Sequence, residues 1–514
     1  MKKVLTMVLV LLFGTVSFAQ DSLCLPNITR NTKSYLIADG NPKDTAYLKG
    51  KCRQASLDLG LQVLANRIPT DSKHVTPKPS KHLLKQGALQ LQLPINETQT
   101  EFAVYHSELF SVPATINVLQ IDDELVTYRS TEAVGNIHLF YGCVRGAFGT
   151  TKSAHGKNAT VYKLWDTPER ALLPDHELQE KMAQNHAKKL AKTNYDILIF
   201  NDLKSYTYNK LGDTSIGHFL DTMRKYNPDK LLQADLLTPM SSHYLSRVNE
   251  NQLWNESMRT KIAETLTERQ EFYRSNQMPW MIGNFQIYHA DKNRKATTIE
   301  ELEWFLSKAA AYDAGFGLFF DAETMKRHGL TDDFLNTINI WETLRLHGTF
   351  SEVQKEQFKD PYGNWHVVKD NDSTYLLYTE HISRRYFSNF IDDNWEWNSP
   401  YASRFALRIA VEGKGSISEL HFNMPNGDLY FPCTLKAGQY LIFGFDGTAY
   451  IADQNFNMID GVFPQGCVFL DEGVSEVSFT CEVKSQDKKQ PQVTVRYHTH
   501  STPEVIHSPA SRVP

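Results

Sequence analysis

Between Pro168 and Trp341 the chain repeats one pattern. Short, nearly continuous apolar runs alternate with stretches at helical spacing. The apolar runs are residues 195–200, 231–235, 280–287 and 316–320. The helical stretches are residues 174–191 (Leu178, Met182, Leu190), then those through Met258, Ile262 and Leu266, through Leu302, Phe305, Leu306, Ala309 and Ala310, and through Phe334, Ile338 and Trp341. A strand that is apolar on both faces must be covered on both, and helices that cross between parallel strands supply that cover. An all-α or all-β fold is thereby excluded for the middle of the chain. Thr298 with Glu301 forms a capping box at the start of one of these helices, and Gly315 closes it. Four strand–helix units are legible, whereas a closed barrel needs eight. The missing strands come from the N-terminal segment, 20–87, or from stretches without a clear period; an open doubly wound sheet is the structural rival. In that segment residues 34–38 read as a strand, 55–68 as a helix through Leu57, Leu61 and Leu64, and 69–81 as a polar, proline-containing linker.

The flanks have a different period. Residues 88–93, 116–119 and 125–128 alternate apolar and polar, as strands of a small β module over 88–165. After Asp360 the helical spacing stops, and residues 365–378, 405–411, 417–422, 439–445, 474–482 and 492–497 read as strands joined by turns such as Asn426-Gly427-Asp428. The expected fold class is therefore multidomain α/β plus all-β: a central (β/α)8-type barrel over 166–360 between the β module and a C-terminal β-sandwich over 361–500, with a tail over 501–514.

The first nineteen residues read as a signal peptide: Lys2 and Lys3, an apolar stretch from Val4 to Val16, and Ser17-Phe18-Ala19 with small residues at the −3 and −1 positions of a cleavage site. That stretch is shorter than the ~20 residues of a spanning helix, and no later segment is apolar enough to cross a membrane. A secreted or periplasmic protein without an integral membrane segment is expected. A formal net charge of −5 over 514 residues argues against nucleic acid as a partner. Six cysteines (Cys24, Cys52, Cys143, Cys433, Cys467 and Cys481) suit an oxidising compartment, with Cys24–Cys52 and Cys467–Cys481 as the pairings that proximity suggests. None has metal-ligand spacing, so no metal or other cofactor is expected.

Within the β module, Ile121-Asp122-Asp123-Glu124, Arg145-Gly146-Ala147-Phe148-Gly149-Thr150 and His155-Gly156 resemble a turn arrangement that recurs in small β modules of secreted and tail-associated proteins. Glycine-rich turns serve backbone geometry first, with a ligand role for Arg145 or His155 as the sharper alternative.

Catalytic groups of β/α barrels sit at the C-terminal ends of the strands. Those ends carry Asn201-Asp202, Asp235, Asn284 with Gln286, and Asp321 with Glu323. Glycoside hydrolysis needs two carboxylates, one to protonate the leaving oxygen and one to attack the anomeric carbon or activate water. Asp202, Asp235, Asp321 and Glu323 form the catalytic pool. Tyr206, Tyr208, Trp280 and Tyr288 are candidate sugar platforms, and Arg247 could hold an acidic group on the sugar. His498 and His500 near the C-terminus are a further pair able to share a metal, or simply solvated.

Leu172-Leu173-Pro174, Tyr195-Asp196-Ile197-Leu198-Ile199-Phe200-Asn201-Asp202, and Thr298-Ile299-Glu300-Glu301 through Ala309-Ala310-Ala311-Tyr312-Asp313-Ala314-Gly315 resemble secreted glycoside-hydrolase-like barrel proteins of polysaccharide-degrading bacteria. The resemblance covers about a third of the chain and implies a β/α barrel acting on a carbohydrate substrate. In that pattern the first strand ends Phe-Asp-Gly-x-Glu; here Asn201 and Lys204 stand where the two carboxylates would be. Either Asp202 has taken over, or the pair lies on other strands, or the barrel binds sugar without cutting it. A polysaccharide lyase, drawing on Lys204, His243, Tyr288 and Arg247, is a third reading.

Overall fold

The computed structural model describes residues 32–508 apart from 39, 42, 106–114, 168–169, 251, 277, 388–392, 467–468 and 487–489. The expected signal peptide, the final residues of the tail, and both proposed cysteine pairings (through Cys24 and Cys467) lie outside the described residues. The described residues form two compact units: residues 62–248, and residues 32–61 together with 249 onwards.

Eight strands pair in parallel. They are β1 (Tyr35–Ala38), β2 (Asp58–Gln62), β3 (Ile197–Phe200), β4 (Leu231–Ala234), β5 (Arg247–Val248), β6 (Leu253–Trp254), β7 (Met281–Gln286) and β8 (Gly315–Phe319). Between them run α1 (Thr45–Gln54), α2 (His176–Leu190), α3 (Asp213–Tyr226), α4 (Arg259–Ser275) and α5 (Ile299–Ala311). In the first unit β3, β4 and β5 lie side by side in chain order. In the second the order is β2-β1-β8-β7-β6. The last strand beside the first, with no reversal of order, is the winding of a (β/α)8-type sheet; a doubly wound sheet turns back at a switch point.

Apolar burial holds these elements. Phe305 of α5 stacks on Phe285 of β7 at 5.0 Å and meets Phe316 of β8 edge-on at 5.3 Å. Losing such a buried ring costs about 3–5 kcal/mol. The capping box forms: Glu301 N donates to Thr298 Oγ1 and Thr298 N to Glu301 Oε2.

The helix expected over 55–68 is instead a turn that follows α1, with Ala55 as the C-cap, and then strand β2. Leu57, Leu59 and Leu61 also alternate at period two, and in so short a run the two periods are indistinguishable until β2 pairs with β1. Helix α3 carries no expectation from the sequence, although its buried Ile216, Phe219, Leu220 and Met223 have helical spacing.

The β module lies in the first unit. A sheet of Lys85–Gln90, Thr160–Leu164, Val118–Ile121 and Glu124–Thr127 faces one of Phe102–Tyr105, Ile137–Tyr141 and Ser130–Val134 across a core that includes Leu91, Val104, Leu119, Val126, Phe140 and Val161. In the second unit, two antiparallel sheets enclose a core built around Trp397, Phe405, Ile409, Phe422, Phe431 and Val495, making the C-terminal β-sandwich.

Candidate functional site

In the first unit the C-terminal ends of β3 and β4 lie level, with Phe200 opposite Ala234. Asp202 and Asp235 follow directly on these two neighbouring strands, and Asp235 N donates to Phe200 O at 3.4 Å. All four residues of β3 are buried, so the strand leaves its edge only where Asp202 (φ −136°, ψ 20°) turns the chain into a 3-10 turn, Leu203–Tyr208. Asp202 is buried, and Arg67 Nε stands 3.7 Å from its carboxylate, at ion-pair rather than hydrogen-bond distance. Burial raises the Asp235 carboxyl above its usual range. The ends of two neighbouring strands thus each carry an aspartate, one beside a guanidinium and one whose carboxyl is raised by burial.

A chain of amides fixes the turn that carries Asp202. Ser205 Oγ donates to Asp202 O at 2.7 Å and receives Asn66 Nδ2 at 2.9 Å. Asn66 Oδ1 accepts from Gln179 of α2, and Gln179 Oε1 accepts from Asn209, which in turn receives Ser215 of α3. Arg67, Asn66 and Gln179 were not among the residues expected from sequence. They lie far from Asp202 in the chain, and single polar residues carry no periodic signal.

The structure sorts the expected aromatic platforms. Tyr208 is 39% exposed and stacks flat on Trp165, centroids 4.6 Å apart and planes 7° off parallel. Trp165 is a stacking partner that the sequence did not single out. Tyr206 is a correction: it is buried against Phe219 at 4.5 Å, and burial followed by the nearby Asp202 charge raises its phenol well above its ordinary value. Arg247 is also corrected, because it is buried inside the sheet on β5, opposite Gln233. Lys204 points from the exposed side of the 3-10 turn.

In the second unit, Asp321 follows β8 but caps the helix Ala322–Arg327, with Oδ1 accepting from Thr324 N at 2.8 Å and Oδ2 from Thr324 Oγ1 at 2.9 Å. Glu323 is exposed and pairs with Arg327 one turn on, at 2.9 Å. Trp280 precedes β7, at the N-terminal edge opposite to the one where barrel chemistry sits, and lies under Arg274 at 4.5 Å; as a sugar platform it is corrected. Tyr288 follows β7 and carries Arg294 over its ring at 4.3 Å, at the start of a loop that lines a cavity of about 400 Å³ through Asp291, Lys292 and Arg294.

His498 and His500 do not act as a pair. His498 is buried and its Nδ1 meets Glu380 at 2.8 Å, while His500 Nδ1 meets Ser501 O at 3.0 Å. His498 belongs to a buried charge cluster that sequence reasoning missed, lining a cavity of about 310 Å³ between α5 and the sandwich. Arg408 meets Glu300 at 3.3 Å and His366 meets Glu303 at 2.7 Å. Burial works against the Glu300 charge, yet Arg408, His498 and Arg496 hold it well below the usual carboxylate range. Glu300 and Glu303 each have a basic partner, which suits a seam between packed elements better than a proton-transfer centre.

The glycine-turn motif of the β module closes on itself. Glu124 accepts from Arg145 Nε (2.9 Å) and Nη2 (2.7 Å), from Gly146 N (2.7 Å) and from Ser153 N (3.1 Å), and it meets His155 Nε2 (2.9 Å). His155 Nδ1 meets Asp122 at 2.8 Å. Burial alone would raise Glu124, but the bonds from His155, Arg145 and the two N–H groups bring it down to about 2. Arg145 and His155 therefore hold turns, with no hydrogen-bonding face turned to a ligand.

No family model and no curated protein matches this chain. Among solved structures it is similar to a GH27 β-L-arabinopyranosidase from Geobacillus stearothermophilus, at 8% identity and a TM-score of 0.26 over 63% of this chain. The chain spans 65% of that enzyme's length. A debranching enzyme from Nostoc punctiforme matches at 10% identity, TM-score 0.28, over 86% of this chain and 80% of its own. MutB, in complex with isomaltulose, matches at 9% and 0.26, over 86% of each chain. Likenesses this distant leave the chemistry to be read from the chain's own residues.

Proposed function

We propose that this protein is an exported glycoside hydrolase that cuts a polysaccharide or its oligosaccharides at the end of β3 and β4. The observation that carries this reading is the pair on adjacent strand ends, Asp202 beside Arg67 and Asp235 raised by burial. Asp235, favoured in its neutral form, is the general acid that protonates the leaving oxygen. Asp202, beside the Arg67 guanidinium, is the nucleophile or the base for water. Tyr208 on Trp165 offers a flat apolar surface to a sugar's C–H face. The reading of export rests on Lys2 to Ala19.

The test is incubation with neutral, uronate-containing and sulfated polysaccharides, following reducing ends and the ultraviolet absorbance of unsaturated uronates. Reducing ends without absorbance, lost in both Asp202→Asn and Asp235→Asn, support the proposal. Absorbance growth makes the protein a lyase. Binding without either product makes it a sugar-holding module, the outcome that Asn201 and Lys204 favour. The location is tested by N-terminal sequencing of the protein recovered outside the cytoplasm, which should begin after Ala19.

A further inference from the structure

The neighbouring helices α2 and α3 carry a group of side chains that the strand-edge site does not use. His176 opens α2, and Glu180 follows one turn later on the same face. His218 stands on α3 between the buried Gly217 and Phe219, itself on the exposed flank. His176 Nε2 is 3.3 Å from Glu180 Oε1, and His218 Nδ1 is 3.6 Å from the same oxygen. The three donor atoms all lie within 4.8 Å of one another, with the imidazole centroids 5.7 Å apart.

These spacings match a specific ligand geometry. Donors placed 2.0–2.2 Å from a tetrahedral zinc ion are about 3.3–3.6 Å from each other. The two measured edges through Glu180 already fall at those lengths. His176 Nδ1 is buried and has no hydrogen-bond partner, so Nε2 is the nitrogen that the ring presents outward. Ion pairing explains the cluster less well, because two imidazoles crowd a single carboxylate oxygen and an exposed pair contributes little.

We propose that His176, Glu180 and His218 form a binding site for a divalent cation of the zinc class, with water in the fourth position. Two imidazoles and one carboxylate select such ions over calcium and magnesium, which favour all-oxygen sites. The ion joins α2 to α3 near their N-terminal ends. Further along, the same two helices are joined by Asn227 Nδ2, which donates to Ala187 O at 3.2 Å. Gln179, next to Glu180, belongs to the amide chain beneath Asp202, so the ion also stiffens the mount of the strand-edge site. The metal proposal stands on its own geometry and does not depend on the hydrolase reading.

The experiment is calorimetric titration of chelator-treated, full-length protein with zinc chloride at about pH 7.5, together with melting curves and the visible spectrum of the cobalt-loaded form. One equivalent should bind, and magnesium and calcium should not displace it. His176→Ala, Glu180→Gln and His218→Ala should each weaken binding by at least about tenfold and abolish the zinc-dependent rise in melting temperature. Circular dichroism keeps the test clean, since all three side chains lie on the surface and the variants should fold. Retention of stoichiometric zinc affinity within twofold in the His176→Ala/His218→Ala double variant would overturn the site, as would no zinc binding by the parent protein.

Discussion

Glu124 and Asp202 are both buried carboxylates with an arginine beside them, and they are held in opposite ways. Glu124 receives four hydrogen bonds from Arg145, Gly146 and Ser153 and meets His155 Nε2, all at 3.1 Å or closer. Asp202 meets Arg67 at 3.7 Å, next to an Asp235 that burial pushes towards its neutral form. A carboxylate surrounded by donors is fixed in charge and position, which makes it a structural post. Under the proposed function, a carboxylate at ion-pair distance, with a second carboxyl of raised pKa on the next strand, is where a proton changes hands. Proximity of an arginine therefore says little about a carboxylate's role; the distance of that arginine and the groups on the neighbouring strand say more.

The largest expected effect separates the two by function. Asp235→Asn should lower kcat by about 10²–10⁴-fold, the usual worth of a general acid, while the melting temperature holds or rises. Parallel reducing-end and melting assays check this, and full activity in the variant removes Asp235 from the mechanism. The second separates them by stability. Arg145→Ala leaves Glu124 charged and buried without its main partner, so unfolding free energy should fall by about 3–5 kcal/mol in urea titrations. A loss below about 1 kcal/mol would break the contrast.

The pH dependence sharpens the comparison because the signs differ. Glu124 titrates lower in the fold, at about 2, than its ordinary 4.5. Its contribution to stability is present above the unfolded value and is lost as pH falls through the folded one. Asp235 is raised, so the fold opposes its ionisation, and stability declines as pH climbs past its unfolded value. Urea titrations across acid pH should show Glu124→Gln removing the steep acid loss, and Asp235→Asn gaining stability near neutrality. The smallest effect concerns the aromatic platform. Tyr208→Ala should raise KM several-fold, about 1 kcal/mol, with kcat unchanged; a fall in kcat alone would place Tyr208 elsewhere in the reaction.

How much of this was legible depended on the range of the signal. The capping box at Thr298, the apolar strands β3, β4, β7 and β8, and the β-module strands near 88–93, 118–121, 124–127, 406–412, 416–423 and 492–500 follow from local period and local hydrogen bonding; Phe102–Tyr105, Ile137–Tyr141 and Leu429–Lys436 carried no expectation. Strand β2 was misread because a five-residue run carries two periods at once, and β5 and β6, at two residues each, carry none. Tyr206 and Trp280 look like platforms in sequence because an aromatic near a strand end has no mark for which way it faces. Packing against Phe219 and a position before β7 decided those two cases.

The sequence alone determined that parallel strands alternate with helices between β-rich modules, and that carboxylates follow the strands. Both are properties of neighbours within a turn or a strand, where geometry is set by the backbone itself. Only the tertiary structure decided that β8 lies beside β1 and that Arg67 reaches Asp202. These depend on groups up to hundreds of residues apart. A carboxylate's charge, exposure and freedom are set by whatever the fold brings to within a few ångströms of it.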